Sequence, residues 1–194
     1  MSSFSKKAAV LLLAAVAGCI SVSAFAAKAT AKEPAAQKVS ILGGKFTFTL
    51  PKGFTVTALP GGDAASGTAG ATGTMYTNAT SKTVVIVAEN TIPGGVTVKD
   101  NDTEFLDAAL VQFIEKQSQA LPDFNKLSEK SMSQRGAGLG LRQVDSTATQ
   151  GGGPTLDTTL LTASGTRTAL VQVVSRASDK VGHEALVKQI LAEK

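Results

Sequence analysis

The side chains that could perform covalent chemistry in this chain are few. His183 is the only histidine, so nucleophilic catalysis of the serine–histidine type would depend on it. It lies beside Glu184 in a segment with helical periodicity, where we expect a surface or half-buried side chain. One histidine and the single Cys19 cannot supply the usual ligands of a transition-metal site. We therefore predict no catalytic residues, no metal site, no cofactor and no enzyme activity.

The acidic run Asp100–Glu104 has the alternating carboxylates that open a calcium-binding loop. Such a loop would need a glycine at Phe105 and a bidentate glutamate at Val111, and neither is present. The same residues are typical of a helix start, with Asn101 as the cap and Glu104 three residues later. We predict a capped helix rather than a calcium site.

Two glycine-rich runs could be taken for phosphate-binding loops. In Gly136–Gly140 the dinucleotide pattern would require a glycine at Leu141, and the P-loop pattern would require a Gly-Lys-Ser/Thr ending. The second run, Gly151–Pro154, is typical of a turn. We interpret both runs as turns, the first leading into a strand.

Arg142 and Asp145 lie within a predicted strand, and alternation places them on opposite faces. Buried in a groove, these side chains could line a ligand cleft. Because charged residues in strands are usually exposed, we expect them to be solvated residues of the sheet surface.

A long amphipathic helix separates two groups of strands. Over Asn101–Leu121 apolar residues recur every three or four positions, and Pro122 ends the pattern because the residue before a proline is displaced from helical geometry. A helix with one apolar face needs a surface to cover, and the flanking strands supply one.

Alternation and turn residues define the predicted strands and a second helix. The strands are Val39–Leu42, Lys45–Leu50, Thr74–Thr77 and Thr83–Ala88 before the long helix, and Lys126–Ser133, Gly138–Thr149, Thr155–Ser164 and Thr166–Arg176 after it. Ser178 is predicted to cap a final helix whose buried stripe contains Val187, Ile190 and Leu191. The order ββ-ββ-α-ββββ-α predicts an α+β fold, a mainly antiparallel sheet with helices packed on it.

Residues 1–26 are typical of a secretory signal peptide. Lys6 and Lys7 form a basic start, Ala8–Val22 is largely apolar, and Ala24–Ala26 fits a signal-peptidase site with cleavage after Ala26. The apolar run is shorter than the ~20 residues of a membrane-spanning helix. We expect a periplasmic protein with a flexible linker at residues 27–38 and one domain at residues 39–194.

A second interpretation of the leader stays open. Val16–Cys19 resembles a bacterial lipobox, in which residues 1–18 are removed and Cys19 becomes the lipidated amino terminus. The protein would then be anchored to the inner membrane and face the periplasm. The apolar residues after Cys19 favour cleavage after Ala26, whereas the linker suits a membrane tether.

Charge and length narrow the functional classes further. The chain has 19 basic and 15 acidic residues, and removal of Lys6 and Lys7 with the leader leaves a net charge of +2. A nearly neutral domain lacks the concentrated basic patch of nucleic-acid-binding proteins. Cleaved after Ala26, the chain has no cysteine, and its domain of about 155 residues is large enough to fold without disulfides.

Three stretches carry a resemblance to a known family: Gly44–Pro51, the Thr77–Thr80 turn before Val84–Val87, and Gln143–Ser146. From Val39 to its carboxy terminus the chain resembles the DcrB family of bacterial envelope proteins. The resemblance implies a PsbP- and Mog-like α/β/α sandwich that is used for protein contacts and has no common enzyme activity. It also implies an envelope lipoprotein or periplasmic protein, in a family named for a requirement in phage adsorption.

We therefore expect an exported, non-enzymatic envelope protein that contacts envelope proteins of unknown identity and supports receptor function and phage adsorption. The alternative is a periplasmic module that binds a small molecule or lipid in a cleft beside the glycine-rich loop Pro60–Thr74. Such a module would need an apolar pocket with a few convergent polar groups. We expect contact with a membrane only through a lipid anchor at Cys19.

Overall fold

A computed structural model describes residues 33–62, 69–133 and 138–192 of the chain. Within these ranges the elements follow in the order β1 (Gln37–Ile41), β2 (Phe46–Leu50), β3 (Thr55–Ala58), β4 (Thr72–Asn78), β5 (Thr83–Thr91), α1 (Thr103–Ala120), β6 (Asn125–Ser133), β7 (Gly140–Gln150), β8 (Gly153–Ser164), β9 (Arg167–Arg176) and α2 (Lys180–Ala192). This order confirms the predicted α+β fold. Strand β3 was not predicted. All four of its residues are exposed, so its sequence lacks the alternation of apolar and polar residues that indicates a half-buried strand.

Seven strands form one antiparallel sheet in the order β3-β4-β5-β9-β8-β7-β6, and β1 pairs with β2 in a separate hairpin. The last four strands pair in sequence order, as the short connections predicted. Pairing of β9 with β5 joins the carboxy-terminal strands to the amino-terminal ones and places Val85 opposite Val173. Strand β5 is therefore internal, and its continuous apolar run is buried on both faces of the sheet.

The two helices cover opposite faces of this sheet. On one face, Leu110 and Phe113 of α1 pack against Val144, Leu161 and Leu170. On the other face, α2 and the β1–β2 hairpin share one apolar cluster with the sheet, which includes Phe46, Phe48, Leu50, Val85, Leu160, Val171, Val173, Leu186, Val187 and Ile190. The result is a three-layer arrangement in which each helix buries one apolar stripe.

Both helices begin one residue later than the predicted caps require. The carboxylate of Asp102 accepts a hydrogen bond from the Phe105 backbone N–H at 3.1 Å, so Asp102 and not Asn101 caps α1. At α2 the Asp179 carboxylate accepts from the Gly182 N–H at 3.1 Å, so the prediction for Ser178 was also wrong. Asn, Asp and Ser are equally good caps, and the backbone path decides which of two neighbours is used.

Several predicted features fall outside the described residues. These are the leader with Cys19 and Ala26, most of the linker, residues 63–68 of the glycine-rich loop, and residues 134–137 before β7. The last two residues of the predicted linker, Gln37 and Lys38, lie in β1. Thr72–Thr74, at the end of the glycine-rich loop, belong to β4.

Candidate functional site

A cleft of about 710 Å³ lies between α2 and strands β6, β7 and β8, and we refer to it as the α2 cleft. Its apolar lining consists of Leu127, Leu156, Val181, Ala185, Val187 and Leu191. Its polar lining consists of Ser128, Lys130, Gln143, Asp145, Ser146, Asp157, Thr158, Lys180, His183, Glu184 and Lys188. A groove with apolar walls and a few convergent polar groups has the composition of a ligand-binding site. It lies away from the glycine-rich loop beside which a cleft was expected.

Strand β7 delivers charged side chains to both faces of the sheet. Asp145 points into the α2 cleft, whereas the buried Arg142 lies on the other face and forms an ion pair with Asp107 of α1. The guanidinium of Arg142 also donates to the carbonyl oxygens of Leu141 and Thr103. The prediction that Arg142 and Asp145 are solvated was therefore wrong, because helices cover both faces of β7.

The floor of the α2 cleft is a hydrogen-bonded network centred on Asp145. Its carboxylate accepts from Ser128 Oγ at 2.6 Å and from Gln143 Nε2 and Thr158 Oγ1, each at 2.7 Å. Lys130 Nζ lies 3.6 Å from the same carboxylate. Partial burial opposes ionisation, but these donors and the nearby ammonium outweigh it and hold the pKa of Asp145 below its usual value. Asp145 is thus a stable carboxylate.

His183 extends this network from α2. Its Nε2 lies 2.9 Å from Thr158 Oγ1 and its Nδ1 lies 3.1 Å from Ser175 Oγ. Because Thr158 donates its one proton to Asp145, its oxygen accepts from Nε2–H, and Nδ1 of the neutral ring accepts from Ser175. Burial lowers the pKa of His183, although the charges of Asp145, Glu184 and Asp179 partly oppose this. The prediction of a surface or half-buried histidine was wrong.

The serine, histidine and aspartate in this network do not form a hydrolytic site. Ser175 is 1 % exposed and lies beneath His183 in the interior. A nucleophile must reach an external substrate, and Ser175 is covered by the residue that would activate it. The network instead fixes the start of α2 on the sheet, with each polar group paired inside the protein.

Asp157 borders the cleft in β8, but alternation with Thr158 places its side chain on the other face of the sheet, where it is 3 % exposed. It accepts from Gln150 Nε2 at 2.8 Å and lies 2.9 Å from Thr155 Oγ1, which is also 2.9 Å from the Ala148 carbonyl oxygen. Burial raises the pKa of Asp157 to about 6, although the bonds from Thr155 and Gln150 partly oppose this. Arg176 donates its hydrogen bonds to the carbonyl oxygens of Gln150 and Gly151, and Asp157 forms no ion pair with any of the described residues.

Two large apolar side chains at the mouth of the cleft remain exposed to solvent. Leu127 is 56 % exposed and Val181 is 81 % exposed. The pairing of β6 with β7 shifts by one residue between Lys126 and Ser128, so Leu127 is the extra residue of a β-bulge. A bulge re-aims a side chain, and here Leu127 lines the cleft together with its neighbour Ser128.

The chain was compared with known proteins. No protein-family model and no curated protein matches it. It is similar to the solution structure of the cyanobacterial PsbP, CyanoP, from Synechocystis sp. PCC 6803, with a TM-score of 0.55 and 11% identity over 85% of this chain and 96% of that one. The fold is PsbP-like. A protein of unknown function from Pseudomonas aeruginosa, PA94, aligns with a TM-score of 0.46 and 12% identity over 80% of this chain and 92% of its own.

Within this PsbP-like fold, the acidic run Asp100–Glu104 has structural roles. Asp100 pairs with Lys45 at 2.7 Å and accepts from Ser164 Oγ at 2.7 Å, while Asp102 caps α1. In the described part of the chain, no group of three or more His, Cys, Asp or Glu side chains converges as a metal site would require. Neither described helix combines the length and hydropathy needed to cross a bilayer.

Sequence reasoning singled out Asp145 and His183 but missed the residues that connect them, Ser128, Thr158 and Ser175. It also missed Asp157. A usable signal was present in β8, where Asp157 is the one charged residue of the strand and has Thr155 and Thr158 close to it in the sequence. Polar side chains in a central strand must find partners inside the PsbP-like fold, and such a run therefore indicates a buried network.

Proposed function

We propose that this chain is an exported, non-enzymatic protein of the bacterial cell envelope that binds a small amphiphilic molecule in the α2 cleft. The observation that carries the proposal is the cleft itself, in which exposed apolar side chains surround a floor of polar groups that are already paired. A ligand can bury Leu127 and Val181 there without breaking the network around Asp145.

The state of each reactive group supports binding without catalysis. Ser175 is buried, and His183 has both ring nitrogens engaged. A general base needs a free lone pair and a pKa near the working pH. Asp145 accepts three hydrogen bonds and its pKa lies below the usual value, which makes it a weak base.

The binding function can be tested with the neutral fluorescent dye Nile red, which brightens in apolar sites. Ala185 is an exposed residue of α2 that lines the cleft, and Ala185→Trp is expected to fill it and to abolish most of the fluorescence gain. Ala108 is an exposed alanine of α1 on the opposite face, and Ala108→Trp is the matched control. Equal dye binding by the wild type and both variants, or no binding by any of them, would refute the proposal.

Export is tested separately, by cell fractionation and by the intact mass of the mature protein. Cleavage after Ala26 predicts a soluble periplasmic chain that begins at Ala27. The alternative predicts a membrane fraction and the mass of a diacylglycerol-modified Cys19. Retention of the full-length chain in the cytoplasm would contradict export by either route.

The second candidate is the function implied by the DcrB resemblance, contact with other envelope proteins in support of receptor function or phage adsorption. It is favoured by the outer strand β6, which ends the sheet and has nine residues that are exposed or half-buried. An exposed edge strand can pair with a segment of another protein.

A photo-crosslinking residue placed at Ser131 of β6 tests this candidate in living cells, with Lys116 on the exposed side of α1 as the control position. The candidate predicts a discrete adduct from position 131 and none from position 116. A deletion strain with unchanged envelope integrity and phage sensitivity would count against it.

A further inference from the structure

The two ends of the α2 cleft differ in chemistry, and strand pairing shows which residues share an end. His183 binds Thr158, which lies opposite Asp145 in β7 and level with Ser128 in β6. From this middle level α2 runs towards Leu160, because Asp179 before its first turn binds Arg176, which lies opposite Thr155, and His183 binds Thr158.

The end that precedes His183 holds the two most exposed large apolar side chains of the cleft, with Lys180 and Glu184 beside them. Val181 stands on the first turn of α2, and Leu127 and Leu156 line the same end from β6 and β8. At Leu127 the regular pairing of β6 with β7 is interrupted by a bulge, and as a result this side chain lies on the cleft face. An exposed leucine and valine on facing elements form a site for an apolar group.

The opposite end carries Lys130 and Lys188 beside Val187 and Leu191. Lys130 lies opposite Gln143, which lies opposite Leu160, on the side of Thr158 towards which α2 runs. Lys188 follows Val187 and lines the cleft from α2. With a rise of ~1.5 Å per residue, Lys188 lies about 10 Å along the helix from Val181.

Two of the three lysines that line the cleft are paired with carboxylates, which leaves one cation uncompensated. Glu184 lies 3.7 Å from Lys180, near Val181. Asp145 forms an ion pair with Lys130 at 3.6 Å, while its oxygens accept hydrogen bonds from three neutral donors. Lys188 forms no ion pair with any of the described residues.

We propose that the α2 cleft binds a single-chain amphiphile whose anionic head group pairs with Lys188 and whose alkyl chain extends towards Leu127 and Val181. This rests on the ligand-binding function proposed above and adds the charge of the head group and the direction of the chain. The separation of about 10 Å between Val181 and Lys188 suits a chain of medium length. A fatty-acid carboxylate and a lipid phosphate share the required chemistry.

Isothermal titration calorimetry of the mature protein with four ten-carbon probes tests the assignment: decanoate, decyl phosphate, decylamine and decanol. We expect both anions to bind about tenfold more tightly than decylamine, with decanol in between. The ratio of decanoate to decyl phosphate affinity then indicates whether a fatty acid or a phosphate head group fits better.

Variants locate the head group and the chain. Lys188→Ala is expected to weaken decanoate binding roughly threefold, and Lys130→Ala to weaken it less because Lys130 already pairs with Asp145; both should leave decanol binding unchanged. Leu127→Ser and Val181→Ser are expected to weaken all four probes about equally. The matched controls are Lys116→Ala and Val111→Ser, exposed residues of α1 that should change nothing.

Equal binding of decanoate, decylamine and decanol would overturn the head-group assignment while leaving the binding function intact. The absence of binding by any probe would refute the binding function itself. Loss of decanoate affinity in Lys116→Ala as large as in Lys188→Ala would also overturn the assignment, because it would place the head group elsewhere. All six substitutions are at exposed positions, and circular dichroism should show unchanged folding.

Discussion

Replacing the buried carboxyl of Asp157 by an amide should stabilise the protein at neutral pH. The folded state raises the pKa of this group from 3.8 to about 6, since the side chain is buried without a cationic partner. In Asp157→Asn the amide can accept from Gln150 and donate to Thr155, which keeps both hydrogen bonds without a buried charge. Thr155 can then donate to the Ala148 carbonyl oxygen at 2.9 Å.

Proton linkage gives the sign and size of this change in the free energy of unfolding. Between pH 3.8 and about 6 the folded state holds the Asp157 proton and the unfolded state has lost it, so this group's favourable contribution is complete below pH 3.8 and disappears as pH rises through 6. The difference between the two pKa values, at ~1.4 kcal/mol per pH unit, corresponds to about 3 kcal/mol. The variant should therefore gain about 3 kcal/mol relative to the wild type between pH 4 and pH 7, and the difference should be constant above that.

Urea unfolding at several pH values measures this difference directly. Far-ultraviolet circular dichroism is the appropriate probe, because the chain has one tyrosine and no tryptophan. Asp123→Asn is a control of opposite sign, since the hydrogen bonds from Thr149 hold the pKa of Asp123 below its usual value and removal of its charge should cost stability as pH rises. A flat difference curve for Asp157→Asn would show that folding does not shift the pKa of Asp157, and a curve that falls with pH would show that the charged form is favoured; either result would refute the reasoning.

Three further predictions test the structure at other points. Asp102→Ala should lower the free energy of unfolding by about 1 kcal/mol and Asn101→Ala by much less, because Asp102 caps α1; denaturant titration compares them. Asp107→Ala should cost about 2 kcal/mol by leaving the buried Arg142 without its half-exposed carboxylate partner, whereas Arg142→Met should cost less. The ring of His183 should titrate below pH 6.5 by nuclear magnetic resonance, so its contribution to stability is lost as pH falls; a midpoint above 6.5 would contradict its burial as a neutral ring.

Sequence periodicity predicted most of the fold because most elements bury one face. Strands β8 and β9 have long runs of residues that suit a buried strand, α1 repeats apolar residues every three or four positions, and the predicted ranges differ from the observed ones by a few residues. Strand β3 was missed because its exposed residues carry no such pattern. The choice between Asn101 and Asp102 as cap depends on the backbone path, which two equally suitable side chains do not reveal.

The α2 cleft could not be predicted for a different physical reason. Alternation correctly separated Arg142 from Asp145, but which face of β7 meets which helix depends on strand order across the whole sheet. Asp145 and His183 come together only because β8 places Thr158 between them.

Leu127 shows most clearly what the alternation of residues in the sequence does not predict. Strict alternation would put it on the face opposite Ser128, pointing away from the cleft. A shift of one residue in the pairing of β6 with β7 reverses that, and no periodic pattern in the sequence encodes a single-residue bulge. If Leu127 contacts the alkyl chain of a ligand, one irregularity in the pairing of β6 with β7 places a binding residue in the cleft. The regular alternation of the strands then determines the sheet but not this part of the binding surface.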